Sequence, residues 1–175
     1  MKILFVGHDV QYVQFYAAVE SALKTRIQFS SLHFYLRPSA WFYAQTKLNL
    51  EVIKLALIKW QWFEFSKAFS EEDKIDMRFY SDLVNAGSQL GLKKIYRSYI
   101  SQFDKLLSNK SVDLVVLPGE YRLFEQALLA VLNKSPCPPR VLYFEAGPPG
   151  YIYLDAEGVN ANASFAKSGS SQLIT

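Results

Sequence analysis

Cysteine is almost missing from this 175-residue chain: Cys137, in Ser-Pro-Cys-Pro-Pro-Arg, has no partner for an intrachain disulfide. That excludes a disulfide-stapled framework and fits a reducing compartment. Only two histidines are present, and no metal site is expected. No run of about 18 uncharged apolar residues occurs, so nothing reads as a membrane span. The start, Met-Lys-Ile-Leu-Phe-Val-Gly, is too short for a signal peptide and reads as a strand. Neither Gly-x-Gly-x-x-Gly nor a Walker A loop is found, which removes the dinucleotide and P-loop readings at the residues that would carry them. Charge is nearly balanced, 19 Lys and Arg against 16 Asp and Glu. With no basic run, nucleic acid is not an expected partner.

What is present is a globular composition, 50% hydrophobic and 20% charged, at a length suited to one domain. Residues 2–7 form a short continuous apolar run ending at Gly7, as a strand buried on both faces would. Residues 9–25 follow with helical spacing. Val10, Val13, Ala17 and Ala18 share a stripe, and Asp9 is placed to cap the helix start. Residues 27–36 alternate as a second strand, completing a βαβ unit. A second unit closes the chain: strand 112–119, helix 121–134 and strand 140–145. Between the two lies a long helical region, clearest at 48–69 and 90–109, with breaks at 70–74 and 85–89. The expected fold is α/β, a Rossmann-like three-layer sandwich on a mostly parallel sheet.

Ligands of such sheets bind beyond the carboxyl ends of the strands. Three strand exits carry polar residues: Gly7-His8-Asp9, Gly119-Glu120-Tyr121-Arg122 and Glu145-Ala146-Gly147. Parallel strands would open all three on one edge. Each loop taken alone is also a capped turn. His8 reads equally as a site residue and as a capping imidazole, while His33, inside an alternating strand, reads as structural. Arg122 either grips an anion through its planar fork or pairs with a glutamate to pin the helix start.

The stretch from 117 to 164 resembles the bacterial capsule-polysaccharide-synthesis family of β-Kdo transferases, enzymes that place 3-deoxy-D-manno-octulosonic acid on surface polysaccharides. The likeness is carried by Gly119-Glu120-Tyr121-Arg122, by Phe144-Glu145-Ala146-Gly147, and by Asp155-Ala156-Glu157-Gly158-Val159-Asn160 with Ser164. Glu120 stands where the family has Asp. Glycine-to-acid spacing is nearer the O-antigen-capping relatives. The resemblance implies catalytic carboxylates at Glu145 and Asp155. It implies substrate contacts from Gly119, Glu120, Arg122, Gly147, Asn160 and Ser164, to which the strand-exit argument adds His8. It also implies one half of a GT-B-type glycosyltransferase, in which two Rossmann-like domains face a cleft. Residues 1–164 would form the acceptor-side domain, and 165–175 a polar tail or the start of a missing second domain. The donor would be CMP-Kdo, held mainly by that second domain, with no cofactor. A glycan or glycolipid acceptor is the implied partner, and the implied location is cytoplasmic, peripheral at the inner membrane.

The residues' own chemistry agrees in outline. Sugar transfer passes through an oxocarbenium-like state that carboxylates stabilise, attack or protonate. Glu145 at a strand end suits an acid/base, and Asp155 either shares that work or caps the turn into Gly158. Nothing reads as the nucleophile that retention needs. The aromatic run Lys59-Trp60-Gln61-Trp62-Phe63-Glu64-Phe65 suits a helix core, a sugar platform or a membrane surface. A non-catalytic glycan- or partner-binding module remains the alternative function.

Overall fold

The computed structural model describes residues 1–53, 89–146, 152–158 and 163–164. By internal contacts the chain falls into two compact units: Met1–Lys54, Ser111–Glu120 and Pro139–Thr175 make the first, Leu55–Lys110 and Tyr121–Pro138 the second.

The first unit holds a six-stranded sheet. Its strands are β1 (Lys2–Gly7), β2 (Ser30–Tyr35), β3 (Val52–Ile53), β4 (Leu114–Leu117), β5 (Arg140–Ala146) and β6 (Ile152–Asp155), in the order β3-β2-β1-β4-β5-β6. The first five run parallel, and β6 returns antiparallel to β5. The expected Rossmann-like α/β fold on a mostly parallel sheet is thus the observed one. Ile3 to Val6 are all buried, which is why β1 reads as an unbroken apolar run rather than an alternating one.

Helix α1 (Val10–Lys24) starts where Asp9 accepts a hydrogen bond from the Gln11 N–H at 3.1 Å, satisfying one of the orphan donors of a helix start. Its buried stripe is Val13, Tyr16 and Glu20. Ala18, expected on that stripe, is exposed. The second strand begins later than its apolar pattern suggests, because the Ile27 N–H still bonds the Leu23 carbonyl at 2.9 Å and finishes the helix.

Three elements depart from what the sequence leads one to expect. Helix α2 (Pro38–Leu48) follows β2, with Pro38 in the first turn and Asn49 left-handed at φ 50° beyond its end. Asn tolerates that conformation, and it lets the Leu50 N–H close on the Ala44 carbonyl at 3.1 Å. The helix expected from residue 48 therefore does not start there. Val52 and Ile53 instead pair with His33 and Phe34 as β3, and β-branched residues suit that role. Residues 54–69 of that expected helix lie outside the described residues, as do the aromatic run and the break at 70–74. Strand β6 occupies a stretch expected to be loop, with Phe144 facing Leu154 and Glu145 facing Tyr153.

Helices α1 and α2 share one core with the sheet. It includes Phe5, Tyr16, Tyr35, Ala40, Ala44 and Phe144. Phe15 stacks on Phe144 at 5.0 Å, and the buried Tyr16 hydroxyl donates to the Val6 carbonyl at 2.8 Å. Each large apolar side chain so buried contributes about 1.5–3 kcal/mol.

In the second unit α3 (Gln89–Asn109) and α4 (Leu123–Lys134) occupy the expected stretches. Tyr96, Tyr99, Ile100, Phe103 and Leu106 are buried at helical spacing, and Tyr99 meets Phe124 of α4 edge-on at 6.4 Å. Burial pushes the Tyr99 phenol up to about 12. Among the described residues, no helix is long and apolar enough to cross a membrane.

Candidate functional site

The strand order reverses between β1 and β4, since β1 leads outward to β2 and β4 leads the other way to β5. A crevice opens at such a point, where the connections leave in opposite directions. The registers Phe5↔Val116 and Leu117↔Tyr143 are fixed by pairing. Carried forward along the strands, they set His8 level with Gly119 and Gly119 level with Glu145. The three exits singled out in the sequence therefore share one edge, and these three residues share one row.

His8 is held there by a tight turn. A Cβ on Gly7 would lie 2.7 Å from Tyr12 Cβ and 2.9 Å from the Tyr35 ring, so only glycine fits. The Gly7 carbonyl then accepts from the Leu36 N–H at 3.1 Å, and the His8 carbonyl from the Arg37 N–H at 3.0 Å. His8 Nδ1 is 3.6 Å from the Asp9 carboxylate. Since Asp9 itself caps α1, the cap role is taken and the imidazole is not the capping group.

Gly119 is buried and Glu120 half-buried. Arg122 stands at the cap position of α4. Its N–H donates to Glu125 Oε2 at 2.9 Å and its guanidinium to Glu125 Oε1 at 3.1 Å. The Glu125 side chain is 1% exposed, so this pair pins the helix start as the second of the two sequence readings has it. The Arg122 side chain is 43% exposed.

Glu145 is the penultimate residue of β5, its backbone paired with Tyr153 of β6. Its side chain lies outside what is described, as do Gly147 and Asn160. Asp155 ends β6 and works as a clasp. Its oxygens accept from the Ser164 hydroxyl at 2.6 Å, the Ser164 N–H at 2.9 Å and the Glu157 N–H at 2.7 Å. The Ser164 hydroxyl, then the Glu157 N–H, hold its carboxyl below the usual carboxylate range. Gly158, at φ 155°, makes the turn between these partners. Asp155 is thus an acceptor that shapes the loop from 155 to 164, and at neutral pH it has no proton to give. In the sheet register it sits opposite Tyr143.

Two groups escaped the sequence reading. Arg37, exposed at the β2 exit, joins the same edge beside His8. An arginine directly before a helix-starting proline was the available signal. Glu20, buried on α1, was the other. His33 Nε2 donates to Glu20 Oε2 at 2.7 Å, and its Nδ1 meets the Tyr35 hydroxyl at 2.9 Å. Ser31 and Lys24 both reach Glu20 Oε1. Burial pushes the Glu20 carboxyl up, but the hydrogen bonds from His33, Lys24 and Ser31 outweigh it and hold the group at about 2. Burial first, and the Glu20 charge second, push the Tyr35 phenol well above its ordinary value. His33 is structural, as its position in the strand suggests.

Among the described residues no group of three or more His, Cys, Asp or Glu could hold a metal.

No family model and no curated protein matches the chain. Among solved structures it is similar to a UDP-N-acetylglucosamine 2-epimerase, with a TM-score of 0.50 at 12% identity over 84% of this chain and 33% of that one. The chain spans about a third of the epimerase's length. It also matches the C-terminal domain of a hydrogenase from Pyrococcus furiosus, with a TM-score of 0.40 at 16% identity over 80% of this chain and 89% of that one. At such identity the epimerase likeness shows the Rossmann-like fold alone.

Proposed function

We propose that the chain is the acceptor-side domain of a β-Kdo glycosyltransferase of bacterial surface-polysaccharide synthesis, transferring from CMP-Kdo with retention. One observation carries the reading. Glu145, next to the end of β5, is level with Gly119 and His8, on the edge where the strand order reverses. A carboxylate carried on a paired strand suits a proton-transferring group, since catalysis tolerates little looseness at the reacting atom. In this reading Glu145 takes the proton from the acceptor hydroxyl, and the glycan or glycolipid acceptor lies along the edge. A second Rossmann-like domain holds the cytidine nucleotide, at the cytoplasmic face of the inner membrane. The epimerase named above acts on a sugar nucleotide, which lends support only through the shared fold. The chain's one-third share of its length suits one domain of a larger enzyme.

Asp155 favours a second reading. With its oxygens engaged by Ser164 and Glu157, one of the two carboxylates that transfer would use is committed to the loop. A non-catalytic glycan-binding module needs neither.

The deciding assay incubates the complete gene product from the native locus with CMP-Kdo and a surface-glycan acceptor and weighs the product by mass spectrometry. Transfer is expected, and Glu145→Gln should lower it by about a hundredfold or more with an unchanged melting curve. Wild-type-like turnover by Glu145→Gln would remove that residue from the mechanism. Glycan binding without transfer would select the binding module. In calorimetry, residues 1–175 alone should not bind CMP tightly, and micromolar binding would sink the half-enzyme reading.

A further inference from the structure

Arg37 and Arg122 occupy the same kind of place: each leaves a parallel strand and stands at the cap position of the helix that follows. Neither can cap in the usual way, because a guanidinium has donors and no acceptor. For Arg122 the third helical residue is Glu125, and its carboxylate takes both the backbone N–H and the guanidinium. The first turn of α2 has no acid, and the Arg37 side chain makes no capping bond. Among the described residues no carboxylate pairs with it, and it is exposed. Among the described residues, local structure therefore gives this arginine no acidic partner.

Its position gives it a neighbour. The Leu36 and Arg37 N–H groups bond the Gly7 and His8 carbonyls at 3.1 and 3.0 Å, which zips the β2 exit to the β1 exit and sets Arg37 beside His8 on the switch-point edge. The His8 side chain is 22% exposed, so it too is reachable. Of the Asp9 oxygens beside His8, Oδ1 serves the start of α1, and Oδ2 lies 3.6 Å from His8 Nδ1.

We propose that Arg37 and His8 form the anion-holding corner of this edge and take an oxyanion of the substrate, a sugar carboxylate or a phosphate. The planar guanidinium fork matches either group through two parallel hydrogen bonds, and the imidazole supplies a further donor. The placement of the substrate there rests on the function proposed above; the anion preference rests on the corner itself.

The chain carries only two histidines, which makes the test direct. His33 is buried against Glu20 and Tyr35, so its imidazole proton signal is an internal control for that of His8. Residues 1–175 at low salt are titrated with inorganic phosphate, with glucuronate and with neutral glucose. The His8 signal should move saturably with at least one of the two anions and not with glucose, while His33 stays still. Arg37→Gln should weaken that binding by about tenfold or more, as expected for a charge-assisted hydrogen bond, without changing the melting curve. Arg37→Lys should restore part of it, since it keeps the charge and loses the fork. Saturation by phosphate alone assigns a phosphate group, and by glucuronate a sugar carboxylate. No saturable shift with either anion, or equal binding in Arg37→Gln, overturns the corner. If the corner binds anions while the complete gene product transfers no sugar, the proposed function falls and the corner stands.

Discussion

Two carboxylates in the first unit both have pKa values held below the ordinary carboxylate range, yet they do different work. Glu20 lies under the sheet between α1 and β2, its side chain 5% exposed, with both oxygens taken by His33, Ser31 and Lys24. Asp155 stands at the end of the edge strand β6 and gathers the Ser164 and Glu157 donors of its own loop. In the buried site the charge has lost water and survives only because its partners replace it. At the exposed site water competes with every partner, so the same hydrogen bonds choose a loop shape without contributing much to folding. The centre of this fold is fixed by satisfied burial, and its rim by local geometry.

Removing the buried acid should give the largest effect. Glu20→Ala leaves the imidazole of His33 and the Ser31 hydroxyl facing an apolar gap. Breaking one side of a buried pair costs about 3–5 kcal/mol, read as a lower midpoint in urea. The comparison sharpens with a second change. Glu20→Leu combined with His33→Leu should recover much of that loss, since apolar residues of similar volume often replace a buried pair at little cost. A Glu20→Ala loss under about 1 kcal/mol would place the pair among exposed ion pairs and erase the contrast.

Acid should show the same contrast more gently. Glu20 has an ordinary value of 4.5 and a folded value of about 2, so between them the unfolded chain binds the proton and the folded chain does not. The stabilisation is therefore full above pH 4.5 and lost as pH falls through about 2. At its limit the effect is about 3 kcal/mol by the usual conversion of pKa to free energy. The groups facing Glu20 are His33, Ser31 and Tyr35 from β2 and Lys24 from its own helix. Urea midpoints measured from pH 6 down to pH 2 should fall steeply in the wild type and less steeply in Glu20→Gln. Parallel acid limbs would mean that other carboxylates carry the acid sensitivity.

Sequence and structure part company along the same line of centre and rim. β1, α1, β4, α4 and β5 were legible because long apolar runs and helical spacing survive without tertiary context. Helix α2 was not, since its buried contacts are Ala40 and Ala44, residues too small to make a visible stripe. β3 is two residues long and opens a stretch with helical spacing, so pairing with β2 decided it against local pattern. β6 exposes Ile152, Tyr153 and Leu154, and only the ladder with β5 makes it a strand. The site followed the same rule. The row of His8, Gly119 and Glu145 comes from strand polarity alone, which sequence can foresee. Arg37 enters through two backbone hydrogen bonds between exits, and Glu20 as an acid on a face that apolar periodicity reserves for hydrophobes.

The smallest expected effect belongs to the clasp. Asp155→Asn keeps the size of the side chain but loses the negative charge and turns one acceptor into a donor. The Ser164 hydroxyl and N–H and the Glu157 N–H then compete for one remaining oxygen. Because the clasp lies on the half-exposed rim, water replaces much of what is lost and the melting temperature should stay within measurement error. The loop should nevertheless loosen. Amide hydrogen exchange at Glu157 and Ser164 should accelerate in the variant, while exchange at Leu4 and Val6 in β1 stays at the wild-type rate. Since Asp155 is held below the usual carboxylate range, the wild-type clasp should itself loosen only below the pH at which an ordinary aspartate protonates. Unchanged exchange at Ser164 in Asp155→Asn would show that strand pairing of β6, and not its terminal acid, sets the loop. A melting drop as large as that of Glu20→Ala would show the rim to be built like the centre.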